Sequence, residues 1–240
     1  ECKMIKELLI KILGKRYARQ WYMFLKGLTN GFSTRIYSQE GEDLILKEFL
    51  SNVQKGFYVD IGAHHPIRFS NTYMFYKMGW SGINIDAMPN SMKAFKRKRP
   101  RDINLEMGVS DKKGVLTYYM FDEPALNSFS KELSEERDRE SDFKIVDKKR
   151  VKTYPLSYIL EKYLPKNKGI DFMSIDVEGL DLMVLKSNDW DRYIPRYILI
   201  ECIGEDIEDI QREDIYTFLK EKGYTIVGKT YRTLVFGKGR

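Results

Sequence analysis

Acidic residues beside backbone-turning glycines recur along this sequence, and they are the groups whose types and spacing can do chemistry. Asp60 precedes Gly62 and Ala63, and the chain's only two histidines, His64 and His65, follow directly before Pro66. Asp86 closes a short apolar run, Gly82 to Ile85, and Val109 with Ser110 follows another such run. Asp176 and Glu178 flank Val177 ahead of Gly179, and a last group spans Glu201 to Glu205. Carboxylates can bind ribose hydroxyls, accept a proton or hold a hard divalent cation. An imidazole, with a pKa near 6.5, is a base at neutral pH without tuning.

Each of these residues is positioned by the end of an expected strand. Phe57, Val59 and Ile61 form the first strand, and the turn at Gly62 lets a ligand approach a backbone without bulk. Ser70 or Asn71 caps a helix that carries Tyr73, Met74, Phe75 and Met78 and stops at Gly79. A second strand delivers Asp86, where a βαβ unit commonly places a ribose-binding acid. A basic helix over Ser91 to Arg101 and a third strand from Ile103 to Met107 follow, then a hairpin-like bend at Asp111 to Gly114 leads into another strand. Residues 121–150 read as an exposed excursion in which Leu126 to Ser130 is the part suited to fold over a site. Strands from Val151 to Tyr154, Ile170 to Ile175 and Tyr197 to Cys202, a helix from Gln211 to Lys222, and a closing antiparallel pair complete the alternation. The pattern predicts a doubly wound α/β sheet with its ligands at the carboxyl ends of the strands.

Ahead of this stands a different segment. Residues 1–36 hold eight Lys and Arg against two acids, whereas the remaining residues carry 33 of each sign, so the net charge of +6 belongs to the N-terminal segment. The spacing of Ile5, Leu8, Leu9 and Ile12, continued by Trp21, Phe24, Leu25 and Leu28, predicts a basic amphipathic helix, or two helices broken near Gly14. It can pack on the rest of the chain, dock on a partner or lie peripherally on a membrane surface, the inner one in a cytoplasmic protein. Nucleic acid is not an expected partner, because the rest of the chain is charge-balanced. The next helix, from Tyr37 to Leu50, starts at Ser38, with Leu44, Ile45 and Phe49 expected in the core and Gln39, Glu40, Glu42 and Asp43 as capping or solvated groups. Two cysteines make no disulfide framework and no metal spacing, which fits a reducing cytosolic compartment. No apolar run reaches the roughly 18 residues of a membrane span.

The first turn separates possible nucleotides. A dinucleotide prefers three glycines around its pyrophosphate, and here Gly62 stands alone. A P-loop is absent. S-adenosylmethionine has a ribose and an adenine but no phosphate, so it needs only the open turn and the acid. An NAD(P)-dependent oxidoreductase and a non-catalytic nucleotide- or glycan-binding module remain as alternatives.

The motifs SQEGEDLIL, FYVDIGAHHP, SNTYMFYKMGWSGINIDAMP, the turn at Val109 to Asp111 and IDVEG occur in order. Together they resemble the FkbM family of S-adenosylmethionine-dependent methyltransferases over residues 37–236. The resemblance implies a class I methyltransferase fold with a Rossmann-like seven-stranded sheet, the last strand antiparallel, preceded by a helical extension over residues 1–36. It implies O-methylation, often of sugar hydroxyls in glycans. On matching positions it implies cofactor contacts from Asp60, Gly62, Ala63, His64, Asn71, Asp86, Ala87, Val109, Ser110 and Asp176. His64 and His65 stand where many relatives have Asn and Gly, so the base for the acceptor hydroxyl is left open between these histidines, which can equally be turn residues, and Glu178. A divalent metal on Asp176, Glu178 and Glu205 is a third option.

Overall fold

The computed structural model describes residues 2–28, 33–202, 207–211 and 213–239. The chain divides into two compact units, Glu1–Ile36 and Tyr37–Arg240. In the first, α1 (Cys2–Leu28) is helical except at Gly14, whose φ of 74° and ψ of 158° kink it.

The second unit runs α2 (Glu42–Phe49), β1 (Phe57–Ile61), α3 (Tyr73–Lys77), β2 (Ser81–Asp86), α4 (Met92–Lys98), β3 (Ile103–Glu106), β4 (Gly108–Val109) and β5 (Gly114–Phe121). It continues through α5 (Lys131–Glu140), β6 (Ile145–Tyr154), α6 (Leu156–Tyr163), β7 (Phe172–Ile175), α7 (Asp181–Lys186) and β8 (Tyr197–Glu201). The chain closes with α8 (Ile207–Ile210), α9 (Asp214–Glu221), β9 (Tyr224–Lys229) and β10 (Thr233–Lys238). Seven strands form one sheet in the order β3-β2-β1-β7-β8-β10-β9, and β10 runs antiparallel to both of its neighbours. This is the doubly wound sheet with a last antiparallel strand that the sequence predicts.

Both faces of this sheet are covered, which is why β1 and β7 are buried at every residue and are apolar except for Asp60 and Ser174. On one face Phe57, Val59, Ile61, Met173 and Ile175 pack with Leu156, Ile159, Leu160, Val184 and Leu185 of α6 and α7. The alternate residues Tyr58, Phe172 and Leu199 meet Leu46, Leu50, Phe75 and Trp80 on the other. With order switching from β2 to β7 on either side of β1, the carboxyl ends of β1, β2, β7 and β8 are left free to hold a ligand.

Several local expectations are corrected. Residues 121–150 are not an open excursion: β5 and β6 pair antiparallel from Gly114↔Thr153 to Phe121↔Ile145, with α5 between them. The run DKKR at the centre of β6, ahead of the expected strand from Val151, carries no apolar alternation because the strand is exposed over most of its length. The expected bend between β4 and β5 is not a hairpin, since β6 lies between those two strands in a separate three-stranded sheet. In α2 the buried apolar residues are Leu46 and, just after the helix, Leu50, while Phe49 is exposed. Ser70, not Asn71, serves the start of α3, its hydroxyl accepting the Thr72 and Tyr73 N–H groups. The last long helix begins at Asp214, not Gln211.

Candidate active site

The cleft is built first from the β1 turn. Gly62 has φ 78°, and a Cβ there would lie 1.7 Å from the Asp176 carbonyl oxygen, so no other residue fits between β1 and β7. The Gly62 and Ala63 N–H groups both donate to the Ile85 carbonyl, each at 3.0 Å, which stitches the turn to the end of β2. His64 continues in a left-handed conformation, φ 50°, and its N–H donates to Asp86 Oδ2 at 2.8 Å. The Met88 N–H donates to Asp86 Oδ1, also at 2.8 Å. Asp86 thus fixes both loops that flank it. Burial pushes its carboxyl up to about 6 despite these bonds.

The second part lies at the ends of β7 and β8. Asp176, Glu178 and Glu201 each offer a carboxylate oxygen, all within 4.8 Å of one another. Glu178 has φ 52°, its carbonyl accepts the Ser128 hydroxyl at 2.8 Å, and its Oε2 pairs with Arg137 of α5 at 2.9 Å. Asp176 is open to the cleft but otherwise enclosed by protein. Loss of bulk water and the nearby Glu201 and Glu178 charges hold it well above the ordinary carboxylate range. Glu201 is pushed up to about 7, chiefly by desolvation and then by Glu178 and Asp181. Asp181, whose Oδ1 accepts the Val177 N–H, is raised to about 6 by burial. Three oxygens this close can share one proton or one hard cation.

A roof and an outer wall complete the cleft. Tyr118 of β5, Leu126, Asn127 and Phe129 line it from above, in keeping with the expectation that Leu126 to Ser130 folds over a site. Phe129 closes on Gly108, where a Cβ would come within 2.5 Å of its ring. Opposite, Gln39, Glu42, Arg232 and Thr233 line the β8–β10 end. Glu42 is buried, its Oε1 accepting the Thr233 hydroxyl at 3.1 Å and its Oε2 the Glu40 N–H at 2.9 Å.

The sequence profile of the methyltransferase FkbM domain matches residues 60–226, which contain the β1 turn, Asp86 and the carboxylates of β7 and β8. The chain belongs to the FkbM methyltransferase family. Among solved structures, it is similar to a Pyrococcus horikoshii protein described as a candidate RNA methyltransferase, with 10% identity, coverage of 83% of this chain and 84% of the other, and a TM-score of 0.43. It is also similar to a TehB-like SAM-dependent methyltransferase from Corynebacterium glutamicum, with 12% identity, coverage of 94% and 97%, and a TM-score of 0.40. No curated protein sequence matches the chain significantly.

S-adenosylmethionine is the methyl donor of FkbM enzymes, and the residues present fit it. Its sulfonium and ammonium groups are cationic, and the cleft is lined by Glu42, Asp86, Asp176, Glu178 and Glu201. A pyrophosphate would meet those same carboxylates, which tells against the dinucleotide alternative. Of three buried side-chain nitrogens without a hydrogen-bond partner among the described residues, two, His64 Nε2 and Asn127 Nδ2, belong to residues that line the cleft, and the third is Trp80 Nε1. The Phe121 N–H donates to Asn127 Oδ1 at 2.8 Å, so the other end of that amide is the donor. Tyr118 is the polar group beside that amide. A bound ligand with acceptor atoms is what such orphaned groups lack.

In this FkbM methyltransferase the residues singled out by sequence separate into two sets. Gly62, His64, Asn71, Asp86, Ala87, Val109, Asp176 and Glu178 all line the cleft. Asn71 Nδ2 donates to the Ser174 hydroxyl of β7 at 3.0 Å. Asp60, Ala63, His65 and Ser110 do not line it. Asp60 accepts the Thr72 hydroxyl at 2.6 Å inside the protein, and Ala63 packs with Met92 and Phe95. His65 is exposed, and its Nδ1 accepts the Ile67 and Arg68 N–H groups, so its place is that of a turn residue. The Ser110 hydroxyl donates to the Lys112 carbonyl. Glu205 lies outside the described residues, and the third carboxylate beside Asp176 and Glu178 is Glu201. Gln39, Glu42, Tyr118, Asn127 and Arg232 were not singled out as site residues. The early acids of SQEGEDLIL were the one signal available for Glu42.

Proposed function

We propose that this FkbM methyltransferase transfers a methyl group from S-adenosylmethionine to a hydroxyl of a glycan or related sugar acceptor. The observation that carries the reading is the carboxylate group at the ends of β7 and β8, with Glu201 near 7. A base with that pKa is half deprotonated at neutral pH and suits removal of a hydroxyl proton. Asp86 would hold the ribose hydroxyls, with Met88, Val109 and Phe129 around the adenine, while Asp176 faces the cationic portion. Bound S-adenosylmethionine supplies the electrophilic methyl group.

The chain's own residues do the rest. Glu178 is held beside Glu201 by its pair with Arg137. Glu201 Oε takes the proton of the acceptor hydroxyl, and alignment of that hydroxyl in the cleft supplies much of the acceleration. Gln39, Asn71, Glu42, Arg232 and Thr233 give this end a polar lining, the kind that recognises several hydroxyls at once. His64, bonded through its backbone to Asp86, belongs to the cofactor end in this reading.

The test is a methyl-transfer assay on a panel of mono- and oligosaccharides, with S-adenosylhomocysteine as one readout and acceptor mass as the other. A mass gain of one methylene on a sugar supports the reading. Transfer to an amine or a nucleic acid, with all sugars inert, overturns the acceptor class and leaves the methyltransferase assignment intact. Activity that survives chelator and is unaffected by added magnesium places the carboxylates in proton transfer; strict magnesium dependence places a cation among them.

A further inference from the structure

In the unit Glu1–Ile36, α1 has a surface of its own. In the half that follows the Gly14 kink, Tyr17, Trp21, Phe24 and Leu28 fall at i, i+4, i+7 and i+11, the spacing of a single helical stripe. Their exposures are 62, 50, 58 and 67%. The Trp21 and Phe24 rings meet edge to face with centroids 5.8 Å apart, so the apolar surface is continuous. Lys15 and Arg19, also exposed, lie close to the opposite side of the helix at 100° per residue. A continuous exposed apolar stripe of this kind marks an interaction surface.

Charge decides what the stripe meets. Eight Lys and Arg against two acids fall within residues 1–36, while the remainder of the chain is balanced at 33 of each sign. The surface that this combination fits is one that is apolar beneath and anionic above. Trp and Tyr, with an apolar ring body and a polar edge, are the side chains favoured at that boundary. Among the described residues no helix is long and apolar enough to cross a membrane, so the geometry is that of a helix lying in the surface.

We propose that α1 binds an anionic lipid surface, with Tyr17, Trp21, Phe24 and Leu28 seated among the acyl chains and its Lys and Arg side chains at the headgroup phosphates. The partner is the bilayer itself, and binding depends on both the stripe and the charge.

The experiment uses the whole chain in co-sedimentation with two vesicle preparations, phosphatidylcholine alone and phosphatidylcholine mixed with phosphatidylglycerol. The expected result is at least tenfold tighter binding to the anionic vesicles, weakened by salt, and a further loss of tenfold or more in the double variant Trp21→Ser/Phe24→Ser. S-adenosylmethionine affinity of that variant, measured by calorimetry, is expected to be unchanged, which shows that the methyltransferase unit is folded. Three results overturn the proposal: no sedimentation with anionic vesicles at low salt, equal binding by the double variant, or a stripe-dependent dimer in light scattering that does not bind vesicles.

Discussion

Two groups of charged residues sit on the same sheet, one buried and one open to the cleft, and they differ in how completely each charge is answered. Behind β1, Arg99 is fully buried and donates to Asp102 at 2.8 Å, to Tyr58 at 2.9 Å, to Thr72 at 2.8 Å and to Ser70 at 3.3 Å. Thr72 passes the contact on to Asp60, and Tyr58 donates to Asp102 at 2.7 Å. At the ends of β7 and β8 the balance is reversed. Glu178 has Arg137, but Asp176 and Glu201 form no ion pair with a described residue and are held above ordinary carboxylate values. Answered charge of the first kind holds a strand end in place. Unanswered charge of the second kind is a cost that a ligand or a transferred proton can offset.

The comparison is broken most severely at Arg99. Arg99→Met leaves Asp60 and Asp102 buried without their cation, and the expected loss is about 3–5 kcal/mol of stability. The melting temperature should fall sharply, while the folded fraction keeps its affinity for S-adenosylmethionine. A small thermal shift would mean that the network is dispensable and that the contrast is false.

Glu201→Gln tests the other side. Turnover is expected to drop about 100-fold or more, the usual cost of losing a general base. Stability should be unchanged or higher, because an amide there no longer opposes Glu178 and Asp181. Full turnover in this variant would place the base elsewhere in the cleft, with His64 next to be replaced.

Asp86 stands between the two groups, since it is buried like Asp60 but lines the cleft like Asp176. Asp86→Asn is expected to weaken S-adenosylmethionine binding about tenfold by removing a charge-assisted acceptor. The asparagine keeps one oxygen for the Met88 N–H, so the thermal cost should be modest. Calorimetric affinity equal to that of the wild type would remove Asp86 from the cofactor site.

Asp60, Asp86 and Asp176 looked alike in the sequence, each an acid at the end of a β-rich run. Strand alternation, the lone Gly62 and the order of the family motifs were enough to predict the sheet, and the cleft lies at the rim formed by its strand ends. What separated Asp60 from the others was Arg99, 39 positions away, and no local pattern announces a guanidinium that will fold under a neighbouring strand. The Glu42–Thr233 contact was hidden for a similar reason. It exists because β10 inserts between β8 and β9, bringing together residues 191 apart. The roof was misjudged because β6 is exposed and charged, so its pairing with β5 leaves no trace in hydrophobic periodicity. Leu126 to Ser130 was legible because its apolar residues stood out in polar surroundings.

The smallest expected effect isolates the unanswered charge by pH. Glu201 is raised from 4.5 to about 7, and Asp86 and Asp181 from 3.8 to about 6, in each case mainly by desolvation. The native state therefore holds these protons more tightly than the unfolded chain does. Their contribution to stability is fully present below pH 3.8 to 4.5 and is lost as pH rises through about 6 and 7. His64 and His65 work in the opposite sense, because partial desolvation and the nearby Arg68 charge lower both from 6.5 and the native state prefers them neutral. A single melting curve against pH mixes the two trends. The difference between wild type and Glu201→Gln removes what they share, so it reports Glu201 together with Asp176, whose carboxyl is held up by desolvation and then by the Glu201 charge. The variant should gain a few degrees on the wild type as pH rises from 5, with most of the gain complete by about 7 and the difference level above it. Parallel curves for the two proteins would show that Glu201 is not held protonated by its surroundings, and the carboxylate group at β7 and β8 would then be no different in kind from the one around Arg99.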